Sequence, residues 1–92
     1  MEYLIYAIDK EDGADLRAAT RDAHMAYLKE NGDRIVTLGP ILDDNGEGPA
    51  TGSVIVIDVP DRAAADEFMA NEPYNQAGLF GTLEIRGWKK MK

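Results

Sequence analysis

Ninety-two residues suit one small domain, which buries a modest share of its surface and gains from a second copy that extends its core. Seventeen acidic residues against ten basic give a formal net charge of −7, a mean field that repels phosphate backbones and anionic bilayers and so argues against nucleic-acid and membrane partners. With 45% hydrophobic and 29% charged residues the chain is expected to fold, and the absence of cysteine excludes disulfides, thiolate metal sites, iron–sulfur clusters and a cysteine nucleophile.

The opening MEYLIYAIDK has an acidic residue at position 2 and an apolar run of six. That run is too short for a spanning segment or a secretory core, so cytoplasmic residence is expected. Within it, Tyr3–Asp9 is rich in aromatic and β-branched residues and is bounded by KEDG, a strand followed by a turn. Asp12 stands at an N-cap position with Asp15 three residues on, and the helix runs to a stop at Asn31 and Gly32. On that helix Leu16, Thr20, Ala23 and Tyr27 form the apolar stripe expected to face a sheet.

Arg34–Leu42 reads as a second strand. Pro40 gives no ladder hydrogen bond, which places this strand at an edge or at a bulge. The polar, glycine-rich segment Asp43–Gly52 connects it to Ser53–Val59, the clearest strand in the chain, as a hairpin with a mobile tip. Pro60 and Asp61 start a second helix with Ala64, Ala65 and Phe68 at core spacing, ending near Asn71. Pro73 and Gly78 bracket a short helical turn, and Thr82–Trp88 is the last strand.

The order βαββαβ over residues 1–92 predicts a single α+β domain of ferredoxin-like type, with both helices on one face of a four-stranded antiparallel sheet. The first and third strands form its central pair and are apolar on both alternations. One face is covered by the helices, and the other calls for a second copy of the same sheet, a homodimer of α+β barrel type.

The chain has one histidine, His24, on the flank of the first helix. Arg17, Arg21 and Leu28 share that flank within an arc of roughly 60°. A half-buried neutral imidazole beside cations is a usable base. A histidine packed at a helix edge explains the same residue without chemistry, as solvation explains the arginines. Glu72 precedes a proline and is pushed into extended geometry. It either pairs with His24 and orients the ring, or faces the positive start of the turn that follows. Gly39, Pro40 and Ser53 are candidates to line a pocket where the hairpin ends approach the helix, or else serve turns alone. Tyr74 offers an aromatic wall and a phenol, or simple packing. No G-x-S-x-G elbow, phosphate loop or H-E-x-x-H spacing is present, and no metal ligand set is expected.

In order along the chain, YLIYAIDK, LRAATRDAHMAYL, LGPIL, TGSVIV and PYNQAGLF resemble the YCII-related (YciI-like) family. The resemblance implies a ferredoxin-like fold, usually dimeric, and an active site suspected to pair a histidine with an aspartate. By position these fall on His24 and on Glu72, where the family's usual Asp-Pro-Tyr reads Glu-Pro-Tyr. It makes Arg17 and Arg21 contacts for an anion or substrate. It also implies cofactor-independent chemistry on substituted aromatics, such as loss of halide from chlorinated hydroquinones. The expectation is therefore a small-molecule enzyme of lyase, isomerase or dehydrohalogenase type with His24 as base. A non-catalytic ligand-binding dimer is the alternative, and a purely structural oligomer the third reading.

Overall fold

Alternating side chains in the first strand, β1 (Glu2–Asp9), divide it between two environments. In the computed structural model, which describes residues 1–92, Tyr3, Ile5 and Ala7 are buried on one face, while Leu4, Tyr6 and Ile8 lie on the other. The chain continues through α1 (Ala14–Glu30), β2 (Ile35–Ile41), β3 (Gly52–Asp58), α2 (Arg62–Ala70), a one-turn helix α3 (Pro73–Gln76) and β4 (Phe80–Trp88). All strand pairs are antiparallel and their order is β2-β3-β1-β4. This is the ferredoxin-like arrangement, with β1 and β3 central.

Register fixes which side chains meet. Ile5 faces Ile55 on one side and Ile85 on the other, and Tyr3 faces Ile57. Together with Leu28 of α1 and Phe68 and Met69 of α2 they form the core. Each fully buried aliphatic or aromatic side chain here stabilises the fold by about 1.5–3 kcal/mol. Leu4, Tyr6, Ile8, Val54 and Trp88 share the opposite face, with Tyr6 and Trp88 exposed.

β2 is an edge strand, and its register shifts between Ile35 and Thr37 rather than at Pro40. Its first predicted residue, Arg34, belongs to a 3-10 turn instead (Gly32–Arg34). The hairpin connection is organised by Asp43, whose carboxylate accepts from the Asn45 and Glu47 backbone N–H groups at 3.0 and 2.8 Å.

Two local expectations are corrected. The N-cap of α1 is Gly13 and not Asp12. The chain turns back at Lys10, whose carbonyl accepts from Gly13, and the Gly13 carbonyl accepts from Arg17. A Cβ at Gly13 would stand 2.8 Å from Leu79 Cδ1, so the position that starts the helix has no room for a capping side chain. The inward stripe of α1 is also rotated. Arg17, Thr20, His24, Tyr27 and Leu28 are buried or half-buried, whereas Leu16 and Ala23 are exposed. Tyr27 sets this phase by packing its ring 5.3 Å from that of Phe68 and donating its hydroxyl to the Phe68 carbonyl at 2.8 Å.

Candidate functional site

α3 is only one turn long, yet it organises the site because Pro73 fixes its first position and Glu72 precedes it in extended conformation. The Glu72 carboxylate therefore caps the turn: Oε2 accepts from the Asn75 backbone N–H at 3.0 Å. Its other oxygen, Oε1, lies 2.5 Å from His24 Nδ1. Glu72 is completely buried and His24 is 7% exposed. A carboxylate in this place accepts the proton on Nδ1 and leaves the lone pair on Nε2. The two roles open to Glu72, cap and histidine partner, are filled by its two oxygens at once.

Tyr74, the second residue of α3, stacks on the imidazole with ring centroids 3.9 Å apart and planes 16° from parallel. The Arg17 guanidinium lies over the same phenol ring, 4.6 Å from its centroid. Arg17 and His24 are seven residues apart on α1, a rise of about 10.5 Å. The two approaches nearly span it, which places the Tyr74 ring between them. Arg17 is itself fixed from β1 and β3: Nε donates to Asp9 Oδ2 at 2.7 Å, Nη2 to Asp9 Oδ1 at 3.1 Å, and Nη2 also to Ser53 Oγ at 3.2 Å. The bidentate fork matches the carboxylate plane.

Burial works against the charge on Arg17, but the hydrogen-bonded Asp9 carboxylate outweighs it and holds the guanidinium above its ordinary value. Burial pushes the Tyr74 phenol up, with Glu72 and Asp9 adding to the effect and Arg17 and Arg21 opposing it. Tyr74 is thus a neutral hydroxyl across the physiological range.

A pocket of about 280 Å³ opens beside this column, lined by Ala14, Arg17, Ala18 and Arg21 of α1, by Pro49 and Ala50 of the hairpin connection, and by Tyr74. Arg17, Arg21 and Tyr74 come together there. Ser53 reaches it only through Arg17. Gly39 and Pro40 oppose Val54 and Ser53 in the β2–β3 ladder and do not line the pocket. His24 and Glu72 do not line it either and lie behind Tyr74. Sequence reading missed Asp9, whose position at the end of the first strand gives no sign that Arg17 will find it. It also missed Pro49 and Ala50. The small residues Ala14 and Ala18, alternating with Arg17 and Arg21 at helical spacing, were the available signal for a hollow against α1. No group of three His, Asp or Glu side chains converges as a metal site, and no helix is long and apolar enough to cross a membrane.

A ferredoxin-like α+β fold carrying a buried carboxylate–imidazole pair behind an arginine-lined pocket defines a small α+β protein with a ligand-sized site. The chain belongs to the YCII-related domain family, whose model matches residues 1–89. It is 35% identical to Protein YciI of Escherichia coli O6:H1, over 99% of both chains. It is also 32% identical, over the same shares, to an uncharacterised protein of Haemophilus influenzae. Among solved structures it is similar to 5-chloro-2-hydroxyhydroquinone dehydrochlorinase from Burkholderia phenoliruptrix in complex with 2,5-dihydroxybenzoquinone. That match has a TM-score of 0.89 and 31% identity over 97% of this chain and 94% of the other.

Proposed function

We propose that this protein is a cofactor-independent enzyme that abstracts a proton from a small aromatic or anionic compound, in a lyase, isomerase or dehydrohalogenase reaction. The buried His24–Glu72 pair beside the pocket carries the reading. His24 Nε2 takes the proton, and Glu72 orients the ring and stabilises the imidazolium that forms. The electron pair released on the substrate either expels a leaving group, chloride in a dehydrochlorination, or returns to another carbon in an isomerisation. The guanidinium side of the pocket stabilises the negative charge that develops. Similarity to a dehydrochlorinase supports this class of chemistry.

We place the active form as a homodimer joined through the open sheet face, since Leu4, Tyr6, Ile8, Val54 and Trp88 form an apolar surface that a second sheet covers. One observation favours a second reading, a dimeric binding module without chemistry: Tyr74 lines the pocket, whereas His24 behind it does not. Turnover separates the two. Native protein incubated with 5-chloro-2-hydroxyhydroquinone and related phenols is expected to release chloride or isomerised product, and His24→Gln, with native circular dichroism, to release none. Turnover retained by the folded variant overturns the base assignment. Saturable binding of the same phenols by native protein with no product supports the binding module.

A further inference from the structure

The arginine-lined pocket has a neighbour. A second hollow of about 400 Å³ is lined by Ile8–Glu11, Gly13, Ala14 and Pro49–Thr51. Ala14, Pro49 and Ala50 line both hollows, so the wall between them is made by the start of α1 and by the β2–β3 connection. That connection is held unevenly along its length. Its root is fixed, because Thr51 donates its N–H to the Ile41 carbonyl and accepts from the Asp9 N–H, both at 2.9 Å. Its tip is a knot tied on one residue. Asp43 Oδ1 accepts from the Asn45 and Glu47 N–H groups, the Asp43 carbonyl accepts from Gly46, and the Asp43 N–H donates to Glu47. Gly46 turns the chain there at φ 70°. Between root and knot, Leu42 and Gly48–Ala50 make no backbone hydrogen bond. Gly48 leaves the knot at φ 79° and passes so close to it that a Cβ would stand 3.3 Å from Asp43 Oδ2. No hydrogen bond or ion pair ties Asp43–Ala50 to α1. A compact body on two unbonded joints moves about those joints as a unit, whereas an untied loop is flexible throughout.

Charge gives the motion a direction. Asp43, Asp44 and Glu47 take part in none of the chain's ion pairs, and neither does Arg21 on the opposite wall of the pocket. Opposite charges across a hollow open to solvent attract over a Debye length, about 8–10 Å in ordinary buffers, and this draws the tip toward α1. We infer that the knot Asp43–Glu47 is a hinged strap, which swings on Leu42 and on Gly48–Ala50 to close the arginine-lined pocket. Lowered, the strap shuts water out of the pocket. Raised, it withdraws the wall of Pro49 and Ala50 and joins the two hollows in one cleft. That use of the motion rests on the reading of the pocket as the ligand site. The motion itself does not, and it is measured without ligand.

The chain has no cysteine, so Asn45→Cys carries a single nitroxide at the tip of the strap, on a side chain that makes no hydrogen bond. Paramagnetic broadening of the α1 amides then reports closure. The amides of Ala14, Ala18 and Arg21 are expected to broaden more than the resting position of Asn45 allows. The excess should fall at least twofold in about 0.5 M NaCl, where screening acts within about 4–5 Å. Relaxation dispersion at Gly48 and Ala50 should give one common rate in the microsecond to millisecond range, with order parameters near 0.85 through Asn45–Glu47. Asp43→Ala unties the knot and should speed exchange of the Asn45 and Glu47 amide protons about tenfold. Broadening that matches the resting position at both salt concentrations overturns closure. Order parameters below about 0.6 through Asn45–Glu47 overturn movement as one body, and unchanged exchange in Asp43→Ala overturns the role of Asp43. Failure of the proton-abstraction reading is seen separately, as turnover retained without His24.

Discussion

Replacing Glu72 with glutamine changes the size of one side chain hardly at all and removes the ability of its two ends to accept two hydrogen bonds. In the native protein Oε1 meets His24 Nδ1 at 2.5 Å and Oε2 accepts from the Asn75 N–H at 3.0 Å. A carboxamide has one accepting oxygen; kept on the Asn75 N–H it preserves the cap, and its NH₂ then faces His24 Nδ1, which accepts only by giving up its proton to Nε2. With Glu72 fully buried, water cannot compensate. Either an unsatisfied buried donor or the forced tautomer with its neutral hydrogen bond costs about 1–3 kcal/mol. A cost of about 1–3 kcal/mol is a sizeable part of the 5–15 kcal/mol typical of a folded domain. At about 4–8 °C per kcal/mol for a domain of this size, the melting temperature falls by roughly 4–24 °C. Thermal and urea unfolding followed by circular dichroism measure this, at one protein concentration because assembly shifts the midpoint. A variant melting within about 3 °C of native refutes the view that both oxygens of Glu72 bear on stability.

Other consequences are open to the same instruments. Burial raises Tyr74 and Tyr27 above their ordinary value of 10.0, so the folded state favours the protonated phenols. The stability they contribute is fully present below the unfolded value and is lost as pH rises through the higher folded values. Phenolate absorbance should show Tyr27 and Tyr74 ionising above the ordinary value, with alkaline loss of stability, and their ionisation at the ordinary value contradicts this. Gly52→Ala drives a Cβ into the Ala7 carbonyl oxygen with Ile8 and Ile41 Cδ1 each at 3.1 Å. Strand separation between β1 and β3 should then cost about 2–4 kcal/mol, and a urea midpoint like native shows that the strands yield cheaply. Tyr6→Glu places charge in the middle of the open sheet face, and light scattering should show dimer converted to monomer. A dimer that persists moves the interface elsewhere.

What the sequence determined by itself was the element order and hence the topology. Strand-type runs at Tyr3–Asp9 and Ser53–Val59, turn residues between them, and stop signals at Gly32 and Gly78 act within a few residues of themselves, so βαββαβ was legible without a contact map. Pro40 located an edge strand because a missing N–H is a property of one residue. Asp61 could be read as part of the start of the second helix for the same reason, and its carboxylate accepts from the Ala64 N–H three residues away.

The phase of α1 was not legible, and the site depends on it. The helix is polar enough that Leu16 and Ala23 suggested one inward stripe. Tyr27 against Phe68, and His24 against Tyr74 and Glu72, select another that keeps Thr20 and Tyr27 but is rotated by roughly 60°. Those partners are separated from α1 by 40 residues or more in sequence, and only tertiary packing brings them together. The same holds for Asp9 and Arg17: a carboxylate at a strand end and a guanidinium on a helix become a bidentate pair only after the sheet positions α1 over it. Residue chemistry thus named His24, Glu72, Arg17, Arg21 and Tyr74 as candidates. The fold decided that two of them lie buried behind a third, and that Arg17 is paired with a carboxylate while Arg21 is not, because long-range contacts alone determine which charges meet a partner.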